Sequence, residues 1–204
     1  LGAYYGLDLS AEDTISARLM AVKYLAGVPT VDIRQGDMGS PDAWAHIPSG
    51  SVHVLSCQMA AHYLFQARGV LDTFLGQVAR VLTRRGLCVL SYTDGRAIVR
   101  RARSWFGPGP YRQPYYEFTL PDLSVLDVGG SVSPTEFPFG LRYEFTVPGS
   151  VEAVPEYLTH EGALIAAAAG VGLHAGRSMG FHVAHGRFLA SGRFQTVAAK
   201  MGGH

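Results

Sequence analysis

Four short apolar runs in the first half of the chain each break off into polar residues at their carboxyl ends. AYYGLD stops on Asp8, TVDIRQGD on Asp37, SVHVLS on Ser56 to Gln58, and GLCVLSYTD on Thr93 and Asp94. Helical patterns lie between them. Ser10 with Asp13 three residues on forms a capping-box signal, and Ile15, Leu19 and Val22 then fall on one helix face. Leu71, Leu75, Val78 and Leu82 mark a second amphipathic helix. Strands alternating with helices through short connections specify an α/β fold with a mainly parallel sheet. Ligands in such sheets bind outside the carboxyl ends of the strands, which is where these polar residues fall.

The texture changes after Arg103. WFGPGPYRQPYYEF is rich in Pro, Gly and Tyr, and the alternating runs YYEFTL and LRYEFTV read as an antiparallel pair inserted into the α/β domain. VPEYLTHEGALIAAAAG reads as a helix that stops at Gly170. With 204 residues, 48% of them hydrophobic, the chain can bury the core of one domain. Its formal charge is +1, so a nucleic-acid site has to be a local patch. No uncharged apolar run approaches the roughly 20 residues needed to cross a bilayer. Cys57 and Cys88 sit in or beside apolar strands, as buried free thiols do, and a reducing compartment is expected.

Each polar position has a functional and a structural reading. Asp8 offers two coplanar acceptors to the vicinal hydroxyls of a ribose, or caps the following helix. Asp37 can accept from an adenine amino group with Met38 against the purine face, or serve the turn after Gly36. His62 and Tyr63 are structural residues unless a flat polar ligand lies over them, where Glu156 would supply an acceptor for its edge. SVLDVGGS, residues 124–131, imitates a phosphate-binding turn, but its place between two hairpin strands makes it a decoy. RRARSW, residues 100–105, is a solvated basic helix face or an RNA-backbone contact. His174, His182 and His185 lack acids or cysteines at ligand spacing, so no metal site is expected.

The stretches YYGLDLS, GDM, SCQMAAHYLF, SYTDG, FGLRYEF and VPEYL, in this order, resemble the messenger RNA cap guanine-N7 methyltransferases. The pieces CQ..A.HY.F and PEYL carry most of the specificity. The resemblance implies an α/β, Rossmann-like class I methyltransferase sheet, mainly parallel, with the inserted antiparallel β-hairpin region. It implies S-adenosylmethionine as cofactor and a capped RNA 5′ end as substrate. It matches Asp8 to the ribose-binding acid, Asp37 and Met38 to the adenine site, and Gln58 to the residue flanking methionine and sulfonium. His62, Tyr63 and Glu156 match the cap-guanine pocket, with Glu156 accepting from guanine N1 and N2 hydrogens. No residue is implied as a catalytic acid or base, because catalysis there is by positioning.

Two positions depart from the family pattern: Met59 stands where the pocket aromatic is expected, and Thr93 where a TPDG turn has proline. The family's Gly-rich strand would precede the Asp8 strand, and its closing strands would follow His204. One methyltransferase-like domain over residues 1–204, incomplete at both ends, is therefore the expectation. The alternative is a methyltransferase-like subunit without catalysis, a scaffold held by capping-enzyme or other ribonucleoprotein subunits. A cellular enzyme of this type is expected in the nucleus and a viral one in the cytoplasm. Neither membrane nor metal enters either reading.

Overall fold

The computed structural model describes residues 2–105, 109–120 and 137–191. The SVLDVGGS segment lies outside the described residues. The chain divides into two compact units, Leu1–Leu173 and His174–His204.

The first unit opens with β1 (Ala3–Asp8), α1 (Ala11–Tyr24) and β2 (Thr30–Gln35). The two strands pair in parallel, from Ala3 opposite Thr30 to Asp8 opposite Gln35. The capping signal is realised: Ser10 Oγ accepts from Asp13 N at 3.1 Å, and Asp8 Oδ1 accepts from Ser10 N at 2.8 Å. The expected apolar face of α1 does not enter the core. Ile15, Leu19 and Val22 are exposed, Leu19 to 69%, whereas Thr14 is buried and Ala17 and Ala21 are half-buried. Small residues let the helix lie close to its strands, and Arg18 fastens it by donating Nε–H to the Ile33 carbonyl at 2.8 Å.

A second β/α/β unit follows: β3 (Val52–Cys57), α2 (Arg68–Val81) and β4 (Leu82–Leu90). Its strands are also parallel, with Leu55 opposite Cys88 and Cys57 opposite Leu90. The two parallel pairs form separate sheets among the described residues. They share one core, in which Leu71, Phe74, Leu75, Val78 and Val81 of α2 are buried with Trp44, Ile47 and Phe65. Positions i, i+3, i+4, i+7 and i+10 make a continuous apolar stripe, so α2 forms as its periodicity predicts, except that it stops at Val81 and Leu82, expected on the helix, opens β4. Arg80 ties the preceding loop to this helix through bonds to the Trp44 and Ile47 carbonyls, both 2.9 Å.

Beyond α3 (Gly95–Arg103) the expected hairpin is present as β6 (Tyr116–Thr119) and β7 (Arg142–Val147). It is extended on both sides, by β5 (Tyr111–Gln113) and β8 (Val151–Tyr157), into a four-stranded antiparallel sheet. VPEY is therefore strand and not helix. Pro155 is compatible with this because β8 is an edge strand, where a missing N–H need not break a ladder. Helix α4 (Glu161–Gly170) begins only after His160, whose Nδ1 accepts from Ala163 N at 3.1 Å. Ile98 of α3 closes a second, smaller core with Phe118, Tyr143 and Leu158.

In the second unit, α5 (Phe181–Ala190) is capped by Gly180 and has no buried residue. No helix among the described residues is long and apolar enough to cross a membrane.

Candidate functional site

The carboxyl ends of the four parallel strands converge through short-range bonds. Gly36 N donates to the Asp8 carbonyl at 2.8 Å, which sets the Asp8 and Asp37 turns side by side. A side chain at position 36 would press on Ala43, with a Cβ only 2.9 Å from the Ala43 Cβ, so glycine permits this close approach. Asp8 Oδ1 and Asp37 Oδ1 each accept a backbone N–H two residues on, both at 2.8 Å. Both side chains are exposed, and these bonds use one oxygen of each carboxylate.

Met38 connects the two parallel pairs. Its sulfur lies 3.9 Å from Cys57 Sγ at the end of β3, and its carbonyl accepts from Trp44 Nε1 at 3.0 Å. Burial pushes the Cys57 thiol up to about 11 and the Cys88 thiol to about 12, so neither is a thiolate at neutral pH. Gln58 turns its amide across β4, donating to the Val89 carbonyl at 3.2 Å and to Ser56 Oγ at 3.0 Å. Met59 adopts φ 50°, and its N–H donates to Ser91 Oγ at 2.8 Å. That kink ends the strand and starts the 3-10 turn Ala61–Gln66.

The turn answers why an imidazole and a phenol stand in apolar company. Ala61, Leu64 and Phe65 anchor it in the core, which carries His62 inward to 2% exposure and leaves Tyr63 38% exposed. The two rings lie 4.3 Å apart, tilted by 54°. Facing them is Glu156 of β8, with Oε1 3.4 Å from His62 Nε2. Tyr143 of β7, directly opposite Glu156 in the sheet register, donates its hydroxyl to Oε2.

Electrostatically this corner is held away from charge. Burial lowers His62 to about 4, so the ring is neutral at physiological pH and its contact with Glu156 is not an ion pair. Neither ring nitrogen has a hydrogen-bond partner. Burial also raises Glu156, while the Tyr143 hydrogen bond and the nearby Thr93 side chain pull it back toward ionisation. Tyr63 is raised by burial and by the neighbouring Glu156. A buried imidazole with unused polar atoms, beside a carboxylate with one oxygen already fixed, is suited to the polar edge of a planar ligand.

Sequence reasoning named His62, Tyr63 and Glu156, and the fold brings all three together. Asp8, Asp37, Met38 and Gln58 gather separately at the strand ends. The sequence pattern does not mark Tyr143, and it marks Thr93 only as a strand-end residue and a departure from the TPDG turn. The signal for Tyr143 was the alternation in LRYEFTV, but its partner became visible only once VPEY was seen to be a strand. A cavity of about 560 Å³ between α1 and β2, lined by Arg18, Val22, Val31 and Asp32 among others, includes none of these candidate side chains.

The strand-end group fits a nucleoside cofactor on the observation that Asp8 and Asp37 are exposed and each commit one carboxylate oxygen to their own turn. Four polar or polarisable side chains thus line the carboxyl ends of parallel strands, the place where α/β sheets hold such ligands.

In overall structure the chain is similar to the PH0226 protein from Pyrococcus horikoshii OT3, with a TM-score of 0.52 and 15% identity over 82% of this chain and 61% of that one. A lower score, 0.48 at 11% identity, relates it to an S-adenosylmethionine-dependent methyltransferase from Clostridium acetobutylicum ATCC 824, over 82% of this chain and 62% of that one. In sequence it is 28% identical over 113 residues to the mRNA cap guanine-N(7) methyltransferase of Drosophila melanogaster. That alignment takes in 55% of this chain and 24% of the fly protein, so the match spans about a quarter of the relative's length. The mRNA (guanine-N(7))-methyltransferase domain family matches residues 30–202, which include every candidate position except Asp8. With its α/β, Rossmann-like architecture and this match over most of its length, the chain belongs to the mRNA (guanine-N(7))-methyltransferase domain family.

Proposed function

We propose that this chain methylates N7 of the cap guanine of RNA, using S-adenosylmethionine. The observation that carries the reading is the buried Glu156 carboxylate, fixed by Tyr143 on one oxygen and turned by the other toward the His62 and Tyr63 rings. Guanine presents N1–H and N2–H side by side on one edge, and a carboxylate is the acceptor that matches such a pair. The cofactor supplies a methyl group already activated on a sulfonium. Asp8 would accept from its ribose hydroxyls, Asp37 and Met38 would meet the adenine, and Gln58 would flank the methionine portion.

The residues named here have positioning roles. Guanine N7 already carries the lone pair that attacks, so no general base is needed. Holding nucleophile and methyl in line can contribute about 7 to 11 kcal/mol to acceleration. His62, neutral because it is buried, adds no charge that would oppose the positive guanine formed on methylation.

The test is methyl transfer to a capped RNA together with separate titrations of S-adenosylmethionine and of the cap dinucleotide GpppA. Glu156→Ala is expected to weaken the dinucleotide while leaving cofactor affinity unchanged. Equal loss of both would refute the pocket assignment. A second reading, a non-catalytic subunit held in an assembly, draws support from the exposed Ile15, Leu19 and Val22 stripe on α1. The same assay separates the two, because a scaffold transfers no methyl group.

A further inference from the structure

The formal charge of the whole chain is only +1, yet α3 gathers Arg96, Arg100, Arg101 and Arg103 within nine residues and contains no acid. Its inner side is settled by packing: Gly95 and Ile98 are buried, and Val99 and Ala102 lie against the core of Phe118, Tyr143 and Leu158. The four arginines are exposed. Arg96, Arg100 and Arg103 recur at i, i+4 and i+7 and so form a stripe along the outer face. Arginines in the last turn suit the negative end of the helix dipole. Arg96 sits in the first turn, where the dipole opposes a cation, so helix stability does not account for it.

The stripe begins beside the candidate guanine pocket. Thr159, three residues beyond Glu156, donates its hydroxyl to the Thr93 carbonyl at 2.7 Å, Asp94 caps α3 by accepting from Arg96 N at 3.0 Å, and Gly95 N donates to Thr159 Oγ1 at 3.1 Å. From there it runs about 11 Å along the helix, at 1.5 Å per residue. Aromatic rings flank the helix, one of them beside Arg101, which lies off this stripe. The Arg101 guanidinium lies 6.0 Å from the centre of the Tyr116 ring, and the adjoining Tyr115, in the turn between β5 and β6, is 82% exposed. Trp105, just past the helix, stands edge-on to Tyr111 at 5.6 Å and is partly exposed. The pairing of Arg100 with Asp94 is long, 3.9 Å, and in solvent, so it does not withdraw that guanidinium from a phosphate.

We propose that α3 is the track for the single-stranded RNA that follows the cap, with Arg96 and Arg100 on successive phosphates and Trp105 and Tyr115 stacking bases. Cationic stripes with exposed aromatic rings bind single strands with little sequence preference. The inference rests on the cap reading above for the direction of the strand, and extends it from the guanine to the chain attached to it.

The experiment measures binding of the full chain to a 5′-fluorescein, unstructured 15-nucleotide RNA by anisotropy across salt concentrations, and to GpppA separately. Each phosphate contact on a single strand contributes about 0.7 to the slope of log K against log salt. Arg96→Gln with Arg100→Gln is expected to reduce that slope by about 1.4 and to weaken the oligonucleotide roughly tenfold at 0.1 M salt. GpppA affinity should stay unchanged. The corresponding Arg→Lys pair should keep the slope, and Tyr115→Ala should weaken the oligonucleotide without changing it. An unchanged slope in the glutamine pair, or failure of the wild-type chain to bind the oligonucleotide, overturns the proposal. So does equal loss of oligonucleotide and GpppA, or competition by poly-glutamate as effective as by RNA, which would assign the stripe to an acidic protein. If the wild-type chain binds the oligonucleotide through these arginines but never binds GpppA, the track stands and the cap reading falls.

Discussion

Tyr143 and Glu156 stand directly opposite each other on β7 and β8, and the phenol donates to the carboxylate from within the smaller core. At 1% exposure the hydroxyl has little access to solvent, so the bond fixes both the position and the charge of the acceptor. Removing it should raise Glu156 further, since Tyr143 is one of the groups that lower it. Glu156 must be ionised to accept two N–H groups, and cap use should therefore appear as pH rises through its pKa. Tyr143→Phe is expected to move that rising limb to higher pH and to reduce kcat/KM by about tenfold to a hundredfold, the range for a hydrogen bond to a charged group. A pH profile of methyl transfer checks both parts. A uniform drop with no displacement would reduce Tyr143 to a packing residue.

The buried imidazole should be visible in stability. His62 is lowered in the fold to about 4 from an ordinary 6.5, so below pH 6.5 the unfolded chain takes up a proton that the folded chain does not. Its contribution is complete above pH 6.5 and is lost as pH falls toward 4, by about 3 kcal/mol in all. Glu156, which faces it, is raised by burial and acts in the opposite sense, opposing folding as pH rises through its own range. Tyr63, the other titratable neighbour, stays protonated throughout. Thermal unfolding between pH 4.5 and 7 should show a steeper acid limb for the wild type than for His62→Gln.

Asp8 serves two purposes that substitution can separate. Asp8→Asn retains an acceptor for Ser10 N and hence the turn into α1, but removes the carboxylate offered to a ribose. Calorimetric titration with S-adenosylmethionine should show weakening of about tenfold to a hundredfold for both Asn and Ala, while only Ala lowers the melting temperature. Unaltered cofactor affinity in Asp8→Asn would assign the residue to helix capping alone.

Among the described glycines, Gly95 has the least room for a side chain. A Cβ there would lie 2.3 Å from the Thr159 carbonyl oxygen and 2.8 Å from its nitrogen, both backbone atoms that cannot rotate away. Thr159 also donates to the Thr93 carbonyl at 2.7 Å and lies three residues beyond Glu156, so the displacement reaches the end of the strand that carries Glu156. Gly95→Ala is expected to cost about 1 to 3 kcal/mol in urea unfolding. Cap affinity should fall with it, and cofactor affinity should not.

Local pattern made much of this architecture legible. Strands β1 to β4 follow from apolar runs ending in polar residues, and α2 from a stripe too regular to mistake. The positions Asp8, Asp37, Gln58, His62 and Tyr63 follow because strand ends are marked in the chain itself. Glu156 was named but put on the wrong element. The apolar stretch from Leu158 onward carried the expected helix start back through a segment that is in fact paired with β7. Tyr143 was out of reach for the same reason, since register between β7 and β8 is a long-range property. In α1, spacing correctly grouped Ile15, Leu19 and Val22 on one face, but periodicity states which residues share a face and not which face is covered. Close approach to the strands favoured the alanines instead.

The corner proposed for guanine draws its walls from both cores: His62 from the turn rooted in the larger, Tyr143 from the smaller. Leu141 packs against both, and its carbonyl accepts from Leu158 N at 2.8 Å two residues beyond Glu156. The spacing between imidazole and carboxylate is thus an offset between two hydrophobic clusters of one compact unit, and Leu141 acts as the shim between them. A change in volume at that one leucine resets the offset without touching either wall, which gives this pocket a means of adjustment remote from its own chemistry.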